Sequence, residues 1–103
     1  MILFGGSSMD FTLANISLQQ IMVFLQVAEQ GGFAKASAHL NMTQSGVSKC
    51  IAKMEKDMEI TLFQRTTREI HLTDAGKILY NDWKKQVKAM HDSYLEAASV
   101  QNQ

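Results

Sequence analysis

A chain of 103 residues is one domain's worth, enough to bury one modest core without cross-links. With 46% hydrophobic and 19% charged residues it is too apolar for a disordered polymer, and one cysteine excludes a disulfide framework or a cysteine-rich metal finger. Ten Lys+Arg balance ten Asp+Glu, which at face value argues against a polyanion partner.

The longest bulky apolar run, Ile21 to Leu25, is far short of the roughly 20 residues a membrane span needs, so no membrane partner is expected. Residues 1–15 read as a lead-in without the basic stretch of a secretory signal, which points to a soluble cytoplasmic protein. Met1 to Ser8 reads either as a remnant of expression, with Met9 the natural start, or as native sequence.

The first structural signal is Ser17-Leu18-Gln19-Gln20, a capping box that opens a helix. Leu18, Ile21, Met22, Leu25 and Ala28 then recur at helical spacing, and Gly31-Gly32 provides the stop. A second helix is predicted over Ala34 to Leu40, with Phe33, Ala36 and Leu40 inward and Asn41 ending it in the left-handed conformation. Thr43 is the N-cap of a third, Gln44 to Met58, whose Val47, Ile51, Met54 and Met58 form one apolar face. Its opposite face carries Ser45, Ser48, Lys49, Ala52 and Lys53.

Thr61 to Arg65 and Glu69 to Leu72 are β-prone pieces that read as a two-stranded hairpin. Thr73 then caps a long helix, residues 74–98, whose length of about 37 Å cannot fold back into a small globule. The tail, 99–103, is simply polar. Tyr80, Trp83, Val87, Met90, Tyr94 and Ala97 alternate by three and four residues, the seam of a paired helix. Near Trp83 that seam also reads as packing on the same domain; beyond Val87 the dimer reading is preferred.

Two short helices joined tightly, then a hairpin, make a winged helix-turn-helix, so the fold class is mainly α with a long dimerisation or linker helix after it. The body occupies 16–73. Such a second helix must bury one face while its first turns offer small hydrogen-bonding side chains to base edges. Thr43, Gln44, Ser45, Ser48 and Lys49 satisfy this: Gln suits adenine, Ser several bases, Lys guanine or phosphate. An ordinary solvated helix face is the plainer reading of the same residues. His39, His71, His91 and Cys50 lack ligand spacing, so no metal is expected; with no phosphate loop or nucleophile motif, neither a cofactor nor enzymatic activity is.

From Leu18 to Gly76 the sequence resembles the N-terminal DNA-binding domain of LysR-type transcriptional regulators. The resemblance rests on Leu18, Phe24 and Val27-Ala28-Glu29, then Gly32 to Ser37, then Leu40 and Thr43 to Lys49 with Ile51 and Glu55. It continues through Leu62-Phe63-Gln64-Arg65, Arg68, Leu72-Thr73 and Ala75-Gly76. It implies sequence-specific binding of double-stranded operator DNA by a homodimer on an inverted repeat, with higher oligomers open to a full-length parent. Gln44, Ser45, Ser48 and Lys49 would face the major groove and Arg68 the adjacent minor groove. Lys35 and Thr43 would position the backbone, Lys53 belongs to the same polar face, and Arg65 either meets phosphate or braces the wing. An effector would act only through a C-terminal sensing domain absent from this chain, which reads either as a shortened piece of a longer regulator, the preferred reading, or as a naturally short variant. The competing function is a helical interaction module that uses the 80–97 seam without DNA.

Three positions depart from the family pattern: Ser45 replaces a common proline, Ser37 a usual second alanine, and Glu59 a glycine. Glu59 must therefore take or avoid a conformation that glycine adopts freely. The neutral total also hides polarity. Phe33 to Met54 holds Lys35, Lys49 and Lys53 without an acid, and Thr61 to Arg68 holds Arg65 and Arg68 without one.

Overall fold

The computed structural model describes residues 13–102, so the expectations for Met1–Ser8 and Met9 lie outside the described residues. Helix α1 spans Leu18–Gln30. The Ser17 hydroxyl accepts from the Gln20 N–H at 3.1 Å, and the Gln20 side-chain oxygen accepts from the Ser17 N–H at 2.8 Å. Both ends of the capping box are thus closed. Gly31, at φ 76°, turns the chain out of the helix.

Helix α2 (Phe33–Leu40) ends at Asn41, φ 57°, and Met42 leads directly into α3 (Gln44–Met58). Thr43 caps α3 by accepting from the Gly46 N–H at 2.9 Å. Glu59 closes α3 in the left-handed conformation at φ 57°, ψ 40°. A side chain there costs roughly 1–2 kcal/mol relative to right-handed backbone. The departure from glycine therefore leaves the turn intact and adds local strain.

Strand β1 (Phe63–Arg65) pairs antiparallel with β2 (Ile70–Leu72), setting Phe63 opposite Leu72, Gln64 opposite His71 and Arg65 opposite Ile70. Helix α4 spans Asp74–Gln101. The Thr73 hydroxyl accepts from the Gly76 N–H at 2.9 Å and donates to the Thr61 carbonyl, so one side chain starts α4 and ties it to the approach to β1. Gly76 is buried against the Leu62 carbonyl, leaving no space for a Cβ. The helix continues past its expected end at residue 98, making most of the expected polar tail helical. Glu96-Ala97-Ala98 contains good helix formers and no breaker follows before Asn102, so nothing local stops it.

The core collects Val23, Phe24 and Val27 of α1, Ala36 of α2, Val47, Ile51 and Met54 of α3, and Leu62 and Phe63 at the wing. The expected α3 face is the buried one, with Met58 half-buried at its end. Helix α1 corrects the sequence reading: Leu18 and Met22 are 48% and 40% exposed. Ile21 to Leu25 is apolar on all sides, so spacing alone selects no face. Packing selects the Val23–Phe24–Val27 face, because α1 meets α2, α3 and α4 together.

A line of aromatic rings crosses this core. Phe33 and Phe63 lie 6.4 Å apart, Phe63 and Phe24 5.6 Å, and Phe24 and Trp83 6.0 Å between centroids. It joins the base of the wing to α4. Tyr80 adds a polar tie by donating its O–H to the Glu29 carboxylate at 2.7 Å.

Candidate nucleic-acid interface

Burial of Val47, Ile51 and Met54 forces Ser45 and Lys49 to the opposite side of α3, where both are exposed. Ser48 lies on the flank and is half-buried. Gln44 is exposed at the first turn, and its neighbour Thr43 still has an O–H to donate after its oxygen has capped the helix. Gly46 sits beneath that cap: an added Cβ would stand 3.0 Å from the Thr43 hydroxyl. The first turn of α3 thus offers short polar groups on a backbone fixed by its own cap.

The wing tip is ordered by one hydroxyl. Thr66 Oγ1 accepts from the Glu69 N–H at 3.0 Å and the Arg68 N–H at 3.3 Å, while the Thr66 N–H donates to the Glu69 carbonyl at 2.8 Å. Arg68 is exposed on this turn. An open groove runs between the wing tip and the α2–α3 unit, with Lys35, Gln44, Arg65, Thr67 and Arg68 among its walls. The structure therefore brings residues distant in sequence to one recess.

The expected basic residues fall into two groups. Lys35, Lys49 and Arg68 make no ion pair among the described residues. Lys53 donates to Asp57 at 2.9 Å, and Arg65 stands 3.6 Å from Glu55, so both carry local counter-charges. Glu55 is the site residue whose role the sequence reading missed. One of its oxygens accepts from the Leu62 N–H at 2.8 Å and the Phe63 N–H at 3.3 Å; the other faces Arg65. Its appearance as a polar residue near the end of α3 is the only local signal, because its partners lie across a turn.

Cys50 is half-buried on α3, and burial pushes its thiol up, which disfavours the thiolate. Of the expected seam on α4, Tyr80 and Trp83 are half-buried against their own domain, with Trp83 edge-on to Phe24. Val87, Met90 and Tyr94 line an apolar groove with Leu18 and Met22 of α1, and Ala97 is exposed further out. The α1 contribution to this surface is not evident from spacing, which groups Leu18 and Met22 with Ile21, Leu25 and Ala28. Among the described residues no helix is long and apolar enough to cross a membrane.

Comparison with known proteins places this geometry. Residues 18–77 match the family model for bacterial regulatory helix-turn-helix proteins of the lysR family. The transcriptional activator AaeR of Escherichia coli K12 is 32% identical over 85 residues, covering 82% of this chain and 28% of that protein. Oxidised OxyR of Corynebacterium glutamicum superposes with a TM-score of 0.74 at 28% identity, covering 82% of this chain and 26% of that one. The CbnR DNA-binding domain, solved in complex with DNA, gives 0.74 at 26% identity, covering 82% of this chain and 97% of its own. The chain spans about 28% of the length of curated relatives such as AaeR, so it corresponds to one segment of them. The matched span contains the three helices, the wing and the start of α4, and by that match this chain belongs to the lysR family of bacterial regulatory helix-turn-helix proteins.

Proposed function

We propose that this chain is the operator-binding part of a cytoplasmic LysR-type transcriptional regulator, acting as a homodimer on inverted-repeat DNA and not as an enzyme. In this reading residues 16–73 form the DNA-binding body and 74–98 the linker and dimerisation helix. Gln44, Ser45, Ser48 and Lys49 read the major groove, and Arg68 enters the adjacent minor groove. Lys35 and Thr43 hold the phosphate backbone, with Lys53 a secondary contact restrained by Asp57. No cofactor takes part; an effector would be sensed by a further domain and transmitted through α4. The observation that carries the proposal is the groove uniting Lys35, Gln44 and Arg68 beside the exposed first turns of α3. The DNA complex of the related CbnR domain supports it.

The apolar seam of α4 would serve a DNA-free interaction module equally well. Lys35 and Arg68, which line one recess, and Lys49 on the exposed side of α3 make no ion pair among the described residues, and that favours DNA, because a protein partner gives no reason to leave these cations free of acids.

The test is selection of bound duplexes from a random pool, followed by titration of the best sequence. Lys49→Ala and Arg68→Ala should each weaken operator binding by about tenfold while melting as the parent does, since one good base contact discriminates by ~1–3 kcal/mol. Affinity should also fall steeply as salt rises, through counterion release. Unchanged affinity in both variants would remove these groove assignments. Failure to enrich any duplex would remove the DNA reading.

A further inference from the structure

We infer that Arg65 is a positioning residue acting through Glu55 to present the wing, and that it is not itself a phosphate contact. The inference rests on the DNA-binding reading above and deepens it. Glu55 is the hub. Its side chain is 20% exposed, and its carboxylate spans the α3–wing junction with two backbone N–H groups on one oxygen and Arg65 facing the other. Those N–H groups belong to Leu62 and Phe63, where the chain enters β1. Ionised acceptors make the stronger hydrogen bonds, so this carboxylate fixes the direction in which the wing leaves the body.

Arg65 completes the clamp. Its guanidinium carbon lies 4.9 Å from the centroid of the Phe33 ring at the start of α2, while Nη2 faces Glu55. One side chain therefore touches the carboxylate of α3 and the aromatic face of α2 from a position on β1. Planar stacking with a carboxylate partner is a use to which arginine is suited, and lysine is not. The charge that a phosphate would require is already balanced by Glu55. Arg68, three residues along the same wing, has no ion-pair partner among the described residues. The two wing arginines thus divide the work: Arg65 holds and Arg68 reaches.

The sign of one substitution separates holding from direct contact. Glu55→Gln keeps an oxygen to accept from Leu62 and Phe63 but removes the carboxylate charge. If Arg65 bound phosphate, freeing it and raising the net charge would tighten DNA binding. A positioning role predicts weaker binding instead. The experiment is a cycle of Glu55→Gln, Arg65→Gln and the double variant, titrated against the selected duplex, with melting curves showing that each is folded. Each single variant should lose about three- to tenfold in affinity, and the double variant no more than the weaker single, because linked residues are non-additive. Tighter binding by Glu55→Gln, or losses that multiply in the double variant, would overturn the inference.

Amide hydrogen exchange without DNA supplies an independent readout. Both single variants should speed exchange at the wing amides of Thr66, Arg68 and Glu69, and unchanged exchange there would also overturn the inference. Wild-type protein that enriches no duplex would sink the DNA reading alone, while the exchange result would still decide whether Arg65 and Glu55 hold the wing.

Discussion

The two halves of α4 obey different rules. Its first ten residues are anchored: Gly76 is buried against the Leu62 carbonyl, Leu79, Tyr80 and Trp83 are half-buried, and Trp83 meets Phe24 edge-on. Beyond Val87 the helix is covered far less, with Met90, Tyr94, Leu95 and Val100 between 50% and 66% exposed. Composition alone does not separate them, since both halves carry aromatic and aliphatic side chains at helical spacing. The difference lies in what stands opposite. The first half packs into α1 and the wing junction; the second borders the exposed Leu18 and Met22 of α1 across an open apolar groove, which under the proposal a second copy covers.

Substitution can break this comparison. Trp83→Ala should cost about 3 kcal/mol of folding stability, since a large aromatic is removed from contact with the core, whereas Tyr94→Ala should leave the monomer's stability within about 0.5 kcal/mol. Chemical denaturation at low concentration measures both. Under the dimer reading Tyr94→Ala instead raises the dissociation constant for self-association, seen by sedimentation. Equal stability losses at the two sites would erase the distinction between anchored and free halves.

A smaller effect is expected at the root of α4. Thr73→Ala removes the cap and the tie to the Thr61 carbonyl, and should lower stability by about 1–2 kcal/mol. That loss should appear in the thermal midpoint, together with earlier exchange of the Gly76 amide. The smallest effect runs the other way. Glu59→Gly relieves the left-handed side chain at the end of α3 and should raise stability by about 0.5–1 kcal/mol after the greater chain entropy of glycine is set against it. A lower melting midpoint would show that Glu59 makes a compensating contribution.

Features governed by near neighbours were legible in the sequence. Ser17 and Gln20, Asn41, Thr43 and Thr73 mark helix ends because capping acts over two to four residues, and all occupy the expected ends. The buried face of α3 was equally clear, since its apolar residues fall at a single period on an otherwise polar helix. Helix α1 was not, because an unbroken apolar run offers several faces and only the arrangement of α2, α3 and α4 chooses one. Glu55 was hidden for a related reason: its partners are backbone N–H groups seven and eight residues away across a turn, and backbone donors leave no trace in residue identity. The alternatives for Arg65 needed the same geometry to separate them.

The anchored first half also makes α4 a mechanical arm. A helix of 28 residues is about 42 Å long, so a tilt of roughly 5° at its root carries its far end about 4 Å sideways. A shift too small to disturb the Tyr80–Glu29 hydrogen bond beyond its elastic range would thus be read at the far end as a displacement close to a side chain's width. In a symmetric pair the same rotation would be applied twice, once at each root. Fine adjustment of the distance between two bodies would then need no rearrangement inside either one.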